Sequence, residues 1–292
     1  MKDKKFVYGI LIPCFILLFI FCVFPLFYGL GISLFDYNPI RQENPFIGLT
    51  NYAALLEDKD FQKALVHPIA YVVIAVTLNI IFTLAIAQFI TSLPGKKMKT
   101  LFRTIFFIPC IAPIAGTAVV WKNGLLYKDG GTFNEILGLF GLESVDWLAS
   151  SVTVIGCIIL FTLWADMGYN IVLFCAGLEG IPKTFDEAAA IDGATPFQRF
   201  VKIKLPLLGR TFTFVLMQTI ISYFQMFAQF KVLENKQSGM NYGSVITTEI
   251  YEQSFDKYNM GYASAIATVL FFIVFIVAMV QKRATKVDWS YE

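Results

Sequence analysis

Asp166 and Asn170 stand four residues apart in a run, 152–178, whose only charged side chain is Asp166. Counting from Val152 at about 1.5 Å per residue puts Asp166 close to mid-membrane if the run crosses a bilayer. A charge at that depth costs roughly 2.5–3.5 kcal/mol, so neither residue faces lipid, and the spacing places both on one helical face. Two roles fit: lining a path for a polar solute, or clamping one helix to another. A second polar series runs through 211–233, where Gln218, Ser222, Gln225 and Gln229 recur at spacings of four, three and four. A continuous helix aligns these as one stripe, with Tyr223, Phe224 and Phe227 beside it. Amides that bond hydroxyl groups, next to rings that stack on C–H faces, suit a carbohydrate path; polar helix packing is the competing reading. A Walker-type glycine-lysine loop, a nucleophile elbow and a paired-carboxylate arrangement are all missing from the sequence. The chain is therefore expected to be non-catalytic and to bind no cofactor itself.

The third informative stretch, 178–208, lies between apolar segments and reads as a helical hairpin. Thr184 followed by Glu187 has the form of a capping box that starts a helix. Ala188, Ala189 and Ala190 propagate it, and Gly193 takes the left-handed conformation that ends it. Thr195, Pro196 and Gln198 repeat the start signal, and the second helix runs towards Lys204 until Pro206 limits it. Two short helices around a glycine make a stiff elbow, suited to docking.

The elements that carry these groups are membrane helices. Apolar residues form 57% of the 292 and mean hydropathy is +0.66, against about 45–50% apolar in soluble domains. Windows of about 20 residues, long enough to cross a bilayer, lie near 6–34, 65–92, 101–120, 152–178, 211–233 and 262–281. The expected fold is all-α, one polytopic domain over 1–292 with six spans. The first span is too long for a signal-peptide core and reads as retained. Lysines and arginines at 2–5, 96–103, 183–210 and 282–286 share one side of this arrangement, which makes both termini and the 179–208 hairpin cytoplasmic. The net charge of +2 argues against nucleic acid as a partner. Cys14, Cys22, Cys110, Cys157 and Cys175 sit in apolar segments without metal-ligand spacing, and His67 is the single histidine, so no metal site is expected. The opposite-side segment 233–261 carries Glu234, Glu249, Glu252 and Asp256 and a short helix over 244–255. No internal repeat is evident, which weighs against inverted-repeat secondary carriers.

Glu187, Ala188, Ala189, Asp192, Gly193, Ala194, Ile203, Leu205 and Pro206 match the EAA loop of ABC importer permeases. The chain is most similar to the sugar-type group, the maltose and glycerol-phosphate permeases, over nearly its whole length. Gly48, Leu49, Asn51, Tyr52 and Asp58 resemble that group's segment before the second span, Pro109, Trp121, Trp164 and Gly168 its middle landmarks, and Gly261, Tyr262 and Ala263 the approach to its last span. The chain departs from the group at His67-Pro68 and at 236–242, which lacks a glycine-glycine-proline turn. The resemblance implies a type I importer permease in a bacterial plasma membrane, forming half of a dimer with a different but related permease. Two ATPase subunits, which use ATP and Mg, and an external solute-binding protein complete such a system, which works by alternating access. In that family the hairpin inserts into a groove on an ATPase subunit. Glu187 would hold its first helix, Ala188 and Ala189 allow close approach, Gly193 form the elbow, and Asp192 cap or pair across the joint. The alternative is an ion-coupled secondary carrier working alone, with Asp166 as its proton site.

Overall fold

The computed structural model describes residues 2–233 and 245–284, so Glu234 and the 236–242 departure lie outside the described residues. In chain order the helices are α1 (Lys2–Leu18, continued by a π turn at Phe19–Val23 into Phe24–Ile32), α2 (Thr50–Glu57), α3 (Lys59–Ser92) and α4 (Lys96–Ile111). Then come α5 (Ile114–Leu125), α6 (Thr132–Leu139), α7 (Ser151–Glu179), α8 (Lys183–Ile191), α9 (Pro196–Leu207) and α10 (Gly209–Phe224). The last are α11 (Ala228–Leu233), α12 (Ile246–Tyr251, followed by a π turn at Glu252–Asp256) and α13 (Met260–Ala284). There is no β-strand among the described residues, only an isolated bridge between Phe35 and Phe46.

Among the described residues four helices are individually long and apolar enough to cross a membrane: Phe6–Ile32, Lys59–Ser92, Val152–Glu179 and Met260–Arg283. Two further spans are bent pairs, so six arise only if each pair counts as one. The expected third span, 101–120, is broken: α4 and α5 meet at 91°. The cause is the pair Pro109 and Pro113. Pro113 has no N–H to give the Pro109 carbonyl and its ring crowds that carbonyl, while Ala112 before it takes an extended conformation, φ −70° and ψ 140°. The expected fifth span is also interrupted. α10 ends at Phe224, Gln225 has left helical geometry at φ −98° and ψ 5°, and a separate short helix starts at Ala228. α9 meets α10 at 74° around Leu208.

The chain forms two compact units, 1–65 with 246–273, and 66–245 with 274–292. In the first, Asn51 is buried and donates to the carbonyls of Ser33 and Phe35 at 2.8 and 3.0 Å. Gly261 lies where a Cβ would overlap the Phe35 carbonyl, and its N–H reaches the Tyr37 carbonyl at 3.0 Å. The Tyr262 hydroxyl donates to Asp58 at 2.6 Å. The expected helix over 244–255 is present from Ile246, with Glu249 buried against Gln253 at 2.8 Å.

The second unit holds a core made chiefly by α3 and α7, including Tyr71, Ala75, Ile90, Ile158, Phe161, Phe174 and Val215. Cys157 and Cys175 are buried in it, whereas Cys14 and Cys22 on α1 are exposed. Gly168 decides how α4 meets α7, because a Cβ there would overlap the Phe106 carbonyl. Gly177 likewise makes room for the Leu208 side chain, which is buried at the bend between α9 and α10.

Partial burial pushes the Asp58 carboxyl up, but the Tyr262 hydroxyl, the N–H groups of Phe61 and Asp60 and the charge of Lys257 outweigh it and hold the group below its ordinary value. Its stabilising contribution is thus present above the unfolded pKa of about 3.9 and lost as pH falls through the lowered folded value. Tyr262→Phe is expected to lower stability by about 1–3 kcal/mol at pH 7, measured by detergent-induced unfolding, with the deficit shrinking below about pH 3.9.

Candidate functional site

The hairpin is built as follows. Pro182 precedes α8 as its N-cap and the helix begins at Lys183, so Thr184 is already its second residue and the expected Thr184–Glu187 box is absent. At the other end α8 closes as a Schellman motif: the Ala194 N–H reaches the Ala189 carbonyl at 2.9 Å while Gly193 sits at φ +79°. The second box forms in full, with the Gln198 N–H on the Thr195 hydroxyl at 3.3 Å and the Thr195 N–H on Gln198 Oε1 at 2.9 Å. Pro206 does not stop the helix. A π turn at Phe200–Lys204 absorbs it and α9 continues to Leu207.

Glu187 and Ala188 are exposed, Ala189 is buried, and Asp192 is the C-cap of α8 through its backbone with an exposed side chain. The pairing across the joint is made instead by Asp186, whose carboxylate takes Arg199 at 2.9 Å and Lys204 at 3.3 Å. A second carboxylate, Glu179 at the end of α7, pairs with Arg103 and with Lys99 at 3.7 Å. Between the two ion clusters lies a cleft of about 430 Å³ whose lining includes Gln88, Glu179, Asp186, Glu187 and Arg199. On the outside of this charged loop Ile191 is 87% exposed and Phe197 74%.

The polar groups inside the spans of the second unit form a connected cluster. Asn170 is buried and donates to Asn79 Oδ1 at 2.7 Å and to the Thr219 hydroxyl at 2.9 Å. Asn79, fully buried, donates to the Tyr223 hydroxyl at 2.7 Å, and Tyr223 is also hydrogen-bonded to Asp166. One turn away Tyr71 meets the Thr162 hydroxyl at 3.0 Å and donates to the Met226 sulfur at 3.0 Å. The cluster ties α3, α7 and α10 together, leaving Asp166 half-buried at its edge. Of the residues named from the sequence, Asn170 and Tyr223 are joined here through Asn79. The proposed four-residue stripe does not survive: Gln225 falls in the break after α10 and Gln229 is buried on α11, while Gln218 is exposed and Ser222 half-buried. Asn79, Tyr71, Thr162 and Thr219 escaped the sequence reading, although the cost of a polar group in hydrocarbon applies to Asn79 in 65–92 as much as to Asn170.

These features define a polytopic helical architecture with an exposed, braced hairpin between two of its apolar segments. The family model for the binding-protein-dependent transport system inner membrane component matches residues 84–284, and the chain belongs to this family, the permeases of ABC transporters. The probable ABC transporter permease protein YurN of Bacillus subtilis is 30% identical over 98% of this chain and 97% of its own length. The arabinooligosaccharides transport system permease protein AraP of Halalkalibacterium halodurans is 32% identical over 97% and 89%. In fold the chain is similar to a chain of a bacterial alginate ABC transporter crystallised with an alginate pentasaccharide-bound periplasmic protein, with a TM-score of 0.86 at 20% identity over 98% of this chain and 95% of that one. The fold is that of the type I ABC importer permeases, a multi-pass membrane architecture, and this assignment disfavours the ion-coupled carrier.

Replacing Asn79 with Ala leaves one Asn170 N–H without its acceptor and the Tyr223 oxygen without its Asn79 donor. The expected loss is about 1–2 kcal/mol, read from unfolding of the purified chain in mixed detergent micelles. An unchanged midpoint would show that the cluster does not hold the three helices together.

Proposed function

We propose that the chain is one half of the membrane path of a carbohydrate importer, paired with a different but related permease and driven by two separate ATPase subunits that bind ATP and Mg. The observation that carries the coupling role is the exposure of Ile191 and Phe197 on a doubly braced hairpin. A rigid elbow with an apolar outer face is what a partner's groove can grip and displace. Glu187, Ala188, Ala189, Asp192 and Gly193 belong to that elbow, with Gly193 supplying the left-handed turn. The hairpin and both termini then lie in the cytoplasm, where ATP is, and an external solute-binding protein delivers the solute to the opposite side. A carbohydrate cargo is supported by the relative named for arabinooligosaccharides and by the similarity to the sugar-type group.

On this reading Asp166, Asn170 and Tyr223 border the path, with Gln218 and Ser222 on the adjoining α10. Asp166 is half-buried beside the bonded cluster, and its carboxylate has acceptor sites beyond the one that Tyr223 uses, so it is the group of that set open to a passing hydroxyl. Charge-assisted bonds of that kind are roughly twice as strong as neutral ones.

The test is uptake of labelled oligosaccharides by cells lacking the chain and complemented with variants. Gly193→Pro and Glu187→Lys are expected to lower uptake by about tenfold or more, the equivalent of ~1.4 kcal/mol of coupling, with unchanged amounts in the membrane; normal transport by both would defeat the coupling role. Asp166→Ala is expected to raise the concentration needed for half-maximal uptake, and an unaltered uptake curve would remove it from the path. Solute movement by the chain alone in ATP-free liposomes would return the ion-coupled carrier to favour.

A further inference from the structure

At the end of α7 the chain carries more positive charge than its own carboxylates answer. A cleft of about 520 Å³ lies between the start of α4 and the α7–α8 junction, lined by Gly95, Lys96, Lys99, Thr100, Arg103, Glu179 and Lys183 with Leu93. Four cations face one carboxylate. Lys99 and Arg103 share Glu179, while Lys96 and Lys183 make no ion pair among the described residues. The Arg103 Nε is buried and has no hydrogen-bond partner.

Position narrows what such a cleft can take. It sits where α3 ends at Ser92 and α7 at Glu179, the level at which two apolar spans give way to charge, which is the depth of lipid headgroups. From Thr100 in the lining, Thr104, Phe107 and Ile111 follow at spacings of four, three and four, one face of α4, and all are exposed. On α7, Ala176, Val172 and Tyr169 follow Glu179 at spacings of three, four and three and are exposed as well. The seam beneath the cations is thus open and becomes apolar towards mid-membrane. A cationic head over an apolar seam matches an amphiphile with one anionic phosphate and two acyl chains.

We propose that this cleft binds an anionic phospholipid headgroup from the leaflet on the hairpin side, with Lys96 and Lys183 as the cations the lipid phosphate neutralises. Basic pockets between spans on that side are where general electrostatics places such lipids. Lys183 is also the first residue of α8, so a bound lipid would touch the root of the hairpin.

The test is native mass spectrometry of the full-length chain titrated with phosphatidylglycerol, with phosphatidylcholine and with inorganic phosphate. Phosphatidylglycerol should be retained about tenfold more than phosphatidylcholine, and Lys96→Gln with Lys183→Gln should cut that retention about tenfold, since each lysine adds attraction for an anionic headgroup. The paired Lys96→Arg and Lys183→Arg variant should keep it, and the thermal midpoint of each variant checks folding. If the double Gln variant unfolds, Lys96→Gln alone and the loss of retention with added salt serve as the readout. Equal retention of the two lipids, indifference to both sets of variants, or displacement by inorganic phosphate alone would overturn the proposal. So would a Gln variant that keeps phosphatidylglycerol but no longer copurifies with an ATPase subunit, because the cleft would then be a protein contact.

Discussion

In hydrocarbon there is no water to satisfy a peptide group, so every place where the chain leaves a helix must be supplied with partners from within the protein. That requirement organises this molecule. The 225–227 interruption falls beside the buried cluster, where Tyr71 and Thr162 direct their hydroxyls at Met226. The same cluster joins Asn79, Asn170, Tyr223 and Thr219 into one set of bonds across three helices. Polar groups that would each be costly alone are stable together because each occupies another's donors and acceptors. Asp166 at the margin is the member whose surroundings remain incomplete, and this is what makes it a candidate to meet solute.

The apolar stretches were legible because hydropathy needs composition only; the continuity of their helices was not. The Pro109–Pro113 spacing of four, which breaks the third span, is visible in the sequence, but a hydropathy window averages over it. The end of α10 had no such mark: SYFQMF contains neither proline nor glycine, and its geometry follows from side chains that arrive from α3 and α7. The stripe of Gln218, Ser222, Gln225 and Gln229 failed for that reason, since it presumed a helix that the tertiary contacts interrupt. Thr184 failed differently. Pro182 set the start of α8 two residues earlier, which places the Glu187 N–H inside the helical ladder and away from the Thr184 hydroxyl.

The ion clusters at Asp186 and Glu179 show another limit. Gly193, Thr195 and Gln198 act within a few residues and their roles could be read from local spacing. Whether Asp186 meets Arg199 depends on the angle of the elbow, which a string of letters does not display. The same applies to Glu179, whose partners lie on α4, some eighty residues earlier in the chain. The hairpin is therefore braced twice, once across its own joint and once to the helix beside its base, and the two braces rest on single carboxylates.

The two interruptions of the spans differ in what it would take to undo them. At Pro113 the missing N–H and the ring are covalent facts, so the hydrogen bond to the Pro109 carbonyl is lost at the corner between α4 and α5 in every state. Nothing in the covalent chain forbids 225–227 from continuing as helix; what meets it there are the Tyr71 and Thr162 hydroxyls of α3 and α7, at Met226. One corner is a fixed bracket and the other a conditional joint, and a shift of α7 or α3 relative to α10 would act on the second while leaving the first as it is.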